Sequence, residues 1–367
     1  MRARSLIGLV VLFAAIGAGG QTSVPGAPEV GTAGDAALPT LHVYTNLIQI
    51  PTLVLSPLRG SMGRVAEDRF LMSVDSGPLF KPTHVREEGN DPISLVVLLD
   101  PSGEASGLMD EVRQRLARLA PGQLQARDSI SMYVMSCGLM RTGLNVPVDR
   151  ASLQMAADHA MTEVKRVQGR HGCRQGVGLW DAMAMTVKQA SKLPGRRVML
   201  VVSDGQDRGS RTKWPEVREY AQSQGIAVFG LSTTGSIPNS LSGRGSGRSA
   251  LPGYTSTETN EDAFNELCEL TGGMRLYAQE IEVGSELKRL VKLLRERYIV
   301  EFPRSTGIGA GKHDLVVTIS RMNAFVRPAG ISVPLPDPKI LADPMTLPND
   351  LTKEPVGGER RILVPKQ

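Results

Sequence analysis

The sequence predicts an α/β protein built on a doubly wound, mostly parallel sheet. Two short apolar runs, Ile93–Leu99 (ISLVVLL) and Val198–Val202 (VMLVV), suit strands buried on both faces. Each run ends in an acidic residue, Asp100 in DPSGE and Asp204 in SDG. Around them, strand-like runs alternate with helical spacing, the pattern of parallel crossover units. Open sheets of this kind keep their ligand crevice at the carboxyl ends of the strands. Two strands that each deliver an Asp to one rim therefore define the candidate site.

The elements follow in order. Residues 1–20 contain Arg2 and Arg4, the apolar run Leu6–Ile16 and the small residues Ala18-Gly19-Gly20, the layout of a cleaved export signal. The run is short for a membrane span, and no later segment is apolar enough to be one. A secreted or periplasmic soluble protein is expected. Residues 21–40 read as a flexible leader. Leu41–Leu58 reads as two strands with Pro51 between them, and Arg64–Phe80 holds another strand.

After Glu104, Met109, Val112, Leu116 and Leu119 recur at helical spacing until Pro121-Gly122. Ser129–Ser136 is the next strand, and Thr142–Val148 a short one that returns antiparallel. Leu153, Ala157, Ala160, Met161 and Val164 mark a second helix, capped by Asp149. A Gly- and Arg-rich loop, Gly169–Gly178, leads to a third helix, Leu179–Leu193. Beyond Val198–Gly205 come a helix at Trp214–Gln224, a strand at Ile226–Leu231 and a mobile loop at Thr234–Asn260. A helix at Glu261–Leu270 stops at Gly272-Gly273. A strand at Met274–Tyr277 and a helix at Val283–Arg297 complete a central domain over residues 91–297.

Tyr298–Phe302, Asp314–Ile319 and Ala324–Val326 read as β, and the proline-rich residues 334–367 as disordered. Crossover helices run antiparallel to their strands. Residues before Ile93 and after Arg297 therefore emerge together, at the end of the sheet opposite the Asp-bearing rim. Segments 41–90 and 298–333 are expected to form one small accessory β module there.

Composition narrows the function. The chain has 367 residues, 41% hydrophobic and 22% charged, as in soluble globular proteins. Loss of residues 1–20 removes two arginines and lowers the net charge from +5 to +3. With 4% aromatic residues, that charge argues against nucleic-acid binding. Of the three cysteines, Cys137 and Cys173 both fall on the upper rim and are expected to pair. Cys268, in a helix near Phe264 and Leu267, is expected to keep a buried thiol. No feature of the sequence sets an oligomeric state.

Taken together, these motifs resemble a family. A D-x-S motif after the first sheet strand and an Asp-Gly after the fourth resemble the von Willebrand factor A (VWA) domain. SLVVLLDPSG, GLWDAM, GRRVMLVVSDGQDRGS, the LTGG helix end and RYIVEFP with VRPAG resemble the secreted acidobacterial VWFA-related proteins more closely. The resemblance spans about Leu41 to Pro336 and implies a Rossmann-like fold. It also implies a metal-ion-dependent adhesion site, with D-x-S-x-S on the first loop, a Thr on the second and an Asp on the third. Here Asp100, Ser102 and Asp204 keep the pattern, whereas Glu104 replaces the second Ser and Val177 the Thr.

Mg²⁺ or another divalent cation, wanting about six oxygens, would thus keep three protein positions and lose two direct ligands. The expectation is a degenerate site that holds Mg²⁺ weakly or not at all. With metal bound, Glu104 would complete the shell and compete with an acidic partner; without it, the favoured case, Asp100, Glu104 and Asp204 would form a like-charge cluster with at least one raised carboxylate pKa, suited to a basic partner. Glu104→Ser with Val177→Thr is expected to restore the ion. Two function classes stay open. One is a non-catalytic, exported protein-binding module using the rim residues Asp100, Ser102, Glu104, Val177 and Asp204. The other is a metal-dependent hydrolase with Asp100, Glu104 and Asp204 as ligands. The rim loops offer no nucleophile–base pair, which favours the first.

Overall fold

The computed structural model describes residues 42–45, 47–168, 176–234, 263–303, 311–329, 331–333 and 346–349. Four strands precede the central sheet: β1 (His42–Thr45), β2 (Leu47–Leu55), β3 (Phe70–Val74) and β4 (His84–Glu87). The sheet contains β5 (Ile93–Leu99), β6 (Ser129–Met135), β7 (Leu139–Pro147), β8 (Arg196–Val202), β9 (Ala227–Thr233) and β10 (Arg275–Ala278). Their spatial order is β10-β9-β8-β5-β6-β7, and every pairing is parallel except β6 with β7. The helices are α1 (Met109–Leu116), α2 (Arg150–Gln168), α3 (Leu179–Ala190), α4 (Trp214–Ser223), α5 (Ala263–Leu270) and α6 (Val283–Arg295).

Every residue of β5 is buried, and its two faces serve different cores. Ile93, Leu95, Val97 and Leu99 join α1, α2 and α6 in one apolar layer. Val96 and Leu98 join α3, α4 and α5 in the other. The period-2 alternation of a strand thus divides one apolar run between two helix layers. Because β6 lies on one side of β5 and β8 on the other, the chain leaves β5 and β8 toward opposite faces. That reversal opens a crevice at their carboxyl ends. The fold is Rossmann-like and of the VWA kind.

One helix start carries the local signal read from the sequence. Ser152 N–H donates to Asp149 Oδ1 at 2.8 Å, the cap expected for α2. The antiparallel strand is longer than the sequence predicts, because β7 pairs across irregularities at Ile130, Met132 and Tyr133. The expected mobile loop falls almost wholly within residues 235–262, outside the described residues. No described helix is long and apolar enough to cross a membrane.

The chain ends do build one module. Strands β11 (Tyr298–Pro303), β12 (Gly311–His313), β13 (Leu315–Ile319), β14 (Phe325–Pro328) and β15 (Ile331–Val333) return to the N-terminal strands or to each other. A four-stranded antiparallel sheet has the order β14-β2-β11-β4, while β13 pairs with β3 and β12 with β15. Leu53 and Leu55 of β2 reach past this module into the α1/α2/α6 core. Two expectations are corrected. Pro51 does not separate two strands but lies inside β2. Its carbonyl accepts from Ala329 N–H at 2.9 Å, so its missing N–H faces the side where the β14 ladder ends. The tail is not structureless throughout, since β16 (Thr346–Asn349) pairs in parallel with β1.

A buried ion cluster joins the module to the sheet. Glu88, whose side chain is fully buried, accepts Arg297 Nε at 2.8 Å, Arg297 Nη2 at 3.1 Å and Arg196 Nη1 at 2.7 Å. Beside it Arg295 pairs with Asp128, whose Oδ1 accepts Ile93 N–H at 2.9 Å. Arg196 begins β8 and Ile93 begins β5, so the cluster marks the end of the sheet away from the rim.

Candidate functional site

Asp100 follows β5 directly. Its N–H donates to Val202 O at 2.9 Å, and Ser203 N–H donates to Leu231 O at 3.1 Å. The parallel ladder therefore holds the ends of β5, β8 and β9 in register up to the rim. Asp100 is fully buried and Asp204 nearly so. Asp100 Oδ1 accepts Ser102 N–H at 3.0 Å and Ser102 Oγ–H at 2.5 Å, and Oδ2 accepts Ser203 Oγ–H at 2.7 Å. Asp204 Oδ1 accepts Gln206 N–H at 3.0 Å.

Arg208 completes the arrangement. Its Nη2 donates to Asp204 Oδ2 at 2.7 Å and its Nη1 to Ser102 Oγ at 2.9 Å. One guanidinium thus ties the loop after β5 to the loop after β8. The hydrogen bond to Asp204 raises the Arg208 pKa further above its ordinary value. Behind this pair, Arg275 of β10 donates from Nη2 to Asp204 O and from Nε to Ser232 Oγ, both at 2.8 Å. Ser232 Oγ–H in turn donates to Ser203 O at 2.6 Å. Gly103 lets the two loops meet: it has φ +62°, and a Cβ there would lie 1.8 Å from Asp204 Oδ2.

The structure brings Asp100, Ser102 and Asp204 together through Ser102 and Arg208, while Glu104 bonds Thr233 and Val177 packs on an apolar layer. Glu104 is exposed and accepts Thr233 Oγ1–H at 3.2 Å. It lines a cleft of about 650 Å³ with Glu111, Arg115, Thr233, Gln279 and Glu280. Val177 is half-buried and packs on the apolar layer of Met135, Leu179 and Trp180. Of the expected like-charge cluster, Asp100 and Asp204 do act on each other, and Arg208 adds a positive charge that pairs with Asp204. Arg208 had no assigned role in the sequence. Its one signal was its place four residues past Asp204 in the quoted stretch SDGQDRGS.

The donor set does not fit a divalent cation. Asp100 accepts from Ser102 and Ser203, and Asp204 from Gln206 and Arg208, so an ion at these oxygens would have to displace donors already bound there. Val177 has no oxygen to offer. Among the described residues no group of three His, Cys, Asp or Glu side chains could hold a metal. Of the cysteines, Cys137 is disulfide-bonded and Cys268 is a buried thiol. Cys173, the expected partner of Cys137, lies outside the described residues.

Burial pushes the Asp100 carboxyl above its ordinary value of 3.8. Its bonds from Ser102 and Ser203 oppose this, and the charge of Asp204 adds to it. A carboxyl with a raised folded-state pKa favours folding when protonated. Its contribution is complete below the unfolded value and is lost as pH rises through the folded value. Wild type compared with Asp100→Asn should therefore lose relative stability as pH climbs from 3.8 through that window. Urea denaturation of both proteins across acidic pH checks this, and a constant difference would contradict it.

No family model and no curated protein matches the chain. Solved structures give distant likenesses. BatB from Bacteroides thetaiotaomicron is 16% identical over 55% of this chain and 98% of its own, with a TM-score of 0.38. An aerotolerance-related membrane protein from Bacteroides fragilis gives 16%, 55%, 98% and 0.37 for the same measures. Proximal thread matrix protein 1 from the mussel byssus gives 9%, 60%, 51% and 0.40. Scores of this size carry no argument about family or function, and the fold rests on the strand order described above.

Proposed function

We propose that the chain is an exported, non-catalytic protein-binding module. Its adhesion-type surface is the loop rim at the carboxyl ends of β5 and β8, a degenerate form of the ion site that the sequence resembles. One observation carries the reading. Asp100, Ser102, Asp204 and Arg208 are locked into mutual hydrogen bonds, while the Arg208 side chain remains 45% exposed. A surface fixed before contact loses little side-chain entropy when a partner docks. Ser102 Oγ–H does bond the Asp100 carboxylate, but the same Oγ accepts from Arg208, which ties the hydroxyl into the scaffold. His84, His159 and His313 bond in the β module or between α2 and β7, away from the rim. The signal-like layout of residues 1–20 supports a partner outside the cytoplasm.

Immobilised full-length chain should retain a protein from envelope extract equally well with and without chelator, and Arg208→Ala should weaken that retention at least severalfold. Retention that ignores Arg208→Ala while responding to changes in the β module would move the binding surface elsewhere. Hydrolytic turnover abolished by Asp100→Ala would replace the binding reading with the enzymatic one.

A further inference from the structure

We propose that Arg208 is a tethered replacement for the rim cation, so that this rim is complete without metal. A bound ion at such a place would do two things. It would neutralise the carboxylates that two strands deliver to one point, and it would cross-link the loops that carry them. Arg208 does both. Its Nη2 meets Asp204 Oδ2 at 2.7 Å on the loop after β8, and its Nη1 meets Ser102 Oγ at 2.9 Å on the loop after β5.

The local backbone makes this return possible. Gly205, at φ +80°, turns the chain straight after Asp204, where a Cβ would meet the Phe264 ring at 2.8 Å. Four residues after Asp204 the chain then presents the guanidinium to its own carboxylate. The rest of the loop is pinned. Ser210 N–H donates to Asp207 Oδ2 at 3.0 Å, and Thr212 N–H to Asp181 Oδ1 at 2.9 Å. Arg208 is therefore held in place and does not sweep the rim as a long surface side chain would.

Two charges decide against an additional ion. A divalent cation seated between Ser102 and Asp204 would lie beside a permanent positive charge, and like charges in a partly buried site repel strongly. It would also have to take Asp204 Oδ2 from a charge-assisted hydrogen bond, among the stronger kinds. The missing oxygens at Glu104 and Val177 are thus secondary. Restoring them leaves Arg208 where it is.

The probe is Mn²⁺ alone, titrated into the full-length chain and followed by the paramagnetic resonance signal of the unbound ion. No partner protein is involved, so failure here and failure of the protein-binding reading are distinguishable. Wild type should show no saturable uptake, and Glu104→Ser with Val177→Thr should show none either. Arg208→Ala should take up one ion per chain in a saturable titration. Adding Asp204→Asn to Arg208→Ala should abolish the gain, which places the ion at the vacated position. Arg208→Lys keeps the charge and should stay silent. Should Arg208→Ala fail to fold by circular dichroism, Arg208→Gln keeps the bulk, removes the charge and answers the same question. Saturable Mn²⁺ uptake by wild type would overturn the proposal. So would a folded, uncharged variant that gains none, or a Lys variant that binds as the Ala variant does.

Discussion

Trimmed to Asp91–Arg297, the chain is expected to lose its single cooperative unfolding transition. The trim removes β2, whose Leu53 and Leu55 are at most 1% exposed and belong to the core of the central sheet. Full burial of a leucine contributes about 1.5–3 kcal/mol. The trim also removes Glu88, the carboxylate partner of Arg196 and Arg297. Together these losses approach the whole stability of an ordinary domain, about 5–15 kcal/mol. The fluorescence of Trp180 and Trp214, both inside the retained segment, reports the transition. A trimmed chain that unfolds in urea as sharply and as late as the full chain would show the module to be an appendage.

Glu88→Ala should cost about 3–5 kcal/mol in the full chain, the usual loss when one partner of a buried ion pair is removed. Glu88 has a fully buried side chain and accepts two bonds from Arg297 and one from Arg196. Its removal leaves the guanidiniums of Arg297 and Arg196, whose side chains are 2% and 10% exposed, without their carboxylate. Arg86 supplies the contrast. It pairs with Asp91 at 2.7 Å, but both side chains are about two-fifths exposed. Exposed pairs contribute about 0–1 kcal/mol, so Arg86→Ala should lie near that range. Chemical denaturation of both variants makes the comparison, and equal losses would mean that burial does not govern these pairs.

Much of the fold was legible because burial writes a simple code into β5. Seven successive residues with one small hydroxyl among them leave no face for water, so the strand had to be central and covered on both sides. Asp100 and Asp204 were legible for the same reason, since each ends such a strand. The union of the chain ends followed from helix direction alone. Glu104 was not legible. Its contact with Thr233 depends on the left-handed backbone at Gly103 and on the 3₁₀ stretch Gly103–Leu108, which spacing alone does not reveal. Arg208 was hidden because its partner Ser102 lies on a different loop, and sequence spacing cannot express that contact. Pro51 misled because a proline signals a break, whereas here its missing donor meets the end of a ladder.

The pairing of β2 with β11 also sets an order of events. Gln49 and Glu301 share a hydrogen bond at 2.9 Å across a separation of 252 residues. Closing a loop of that length precedes any reward from the contacts it permits, and pairings of this kind form late. During synthesis β2 is made early, yet both of its neighbours in the finished sheet, β11 and β14, come from the far end of the chain. Until those residues arrive, β2 presents two unpaired edges and the side chains of Leu53 and Leu55 to whatever is nearby. Such edges are templates for association between chains. The nascent protein is therefore most vulnerable to aggregation during the interval between making its first strands and making their partners. A chaperone that covers β2 through that interval would protect it at the point of greatest exposure.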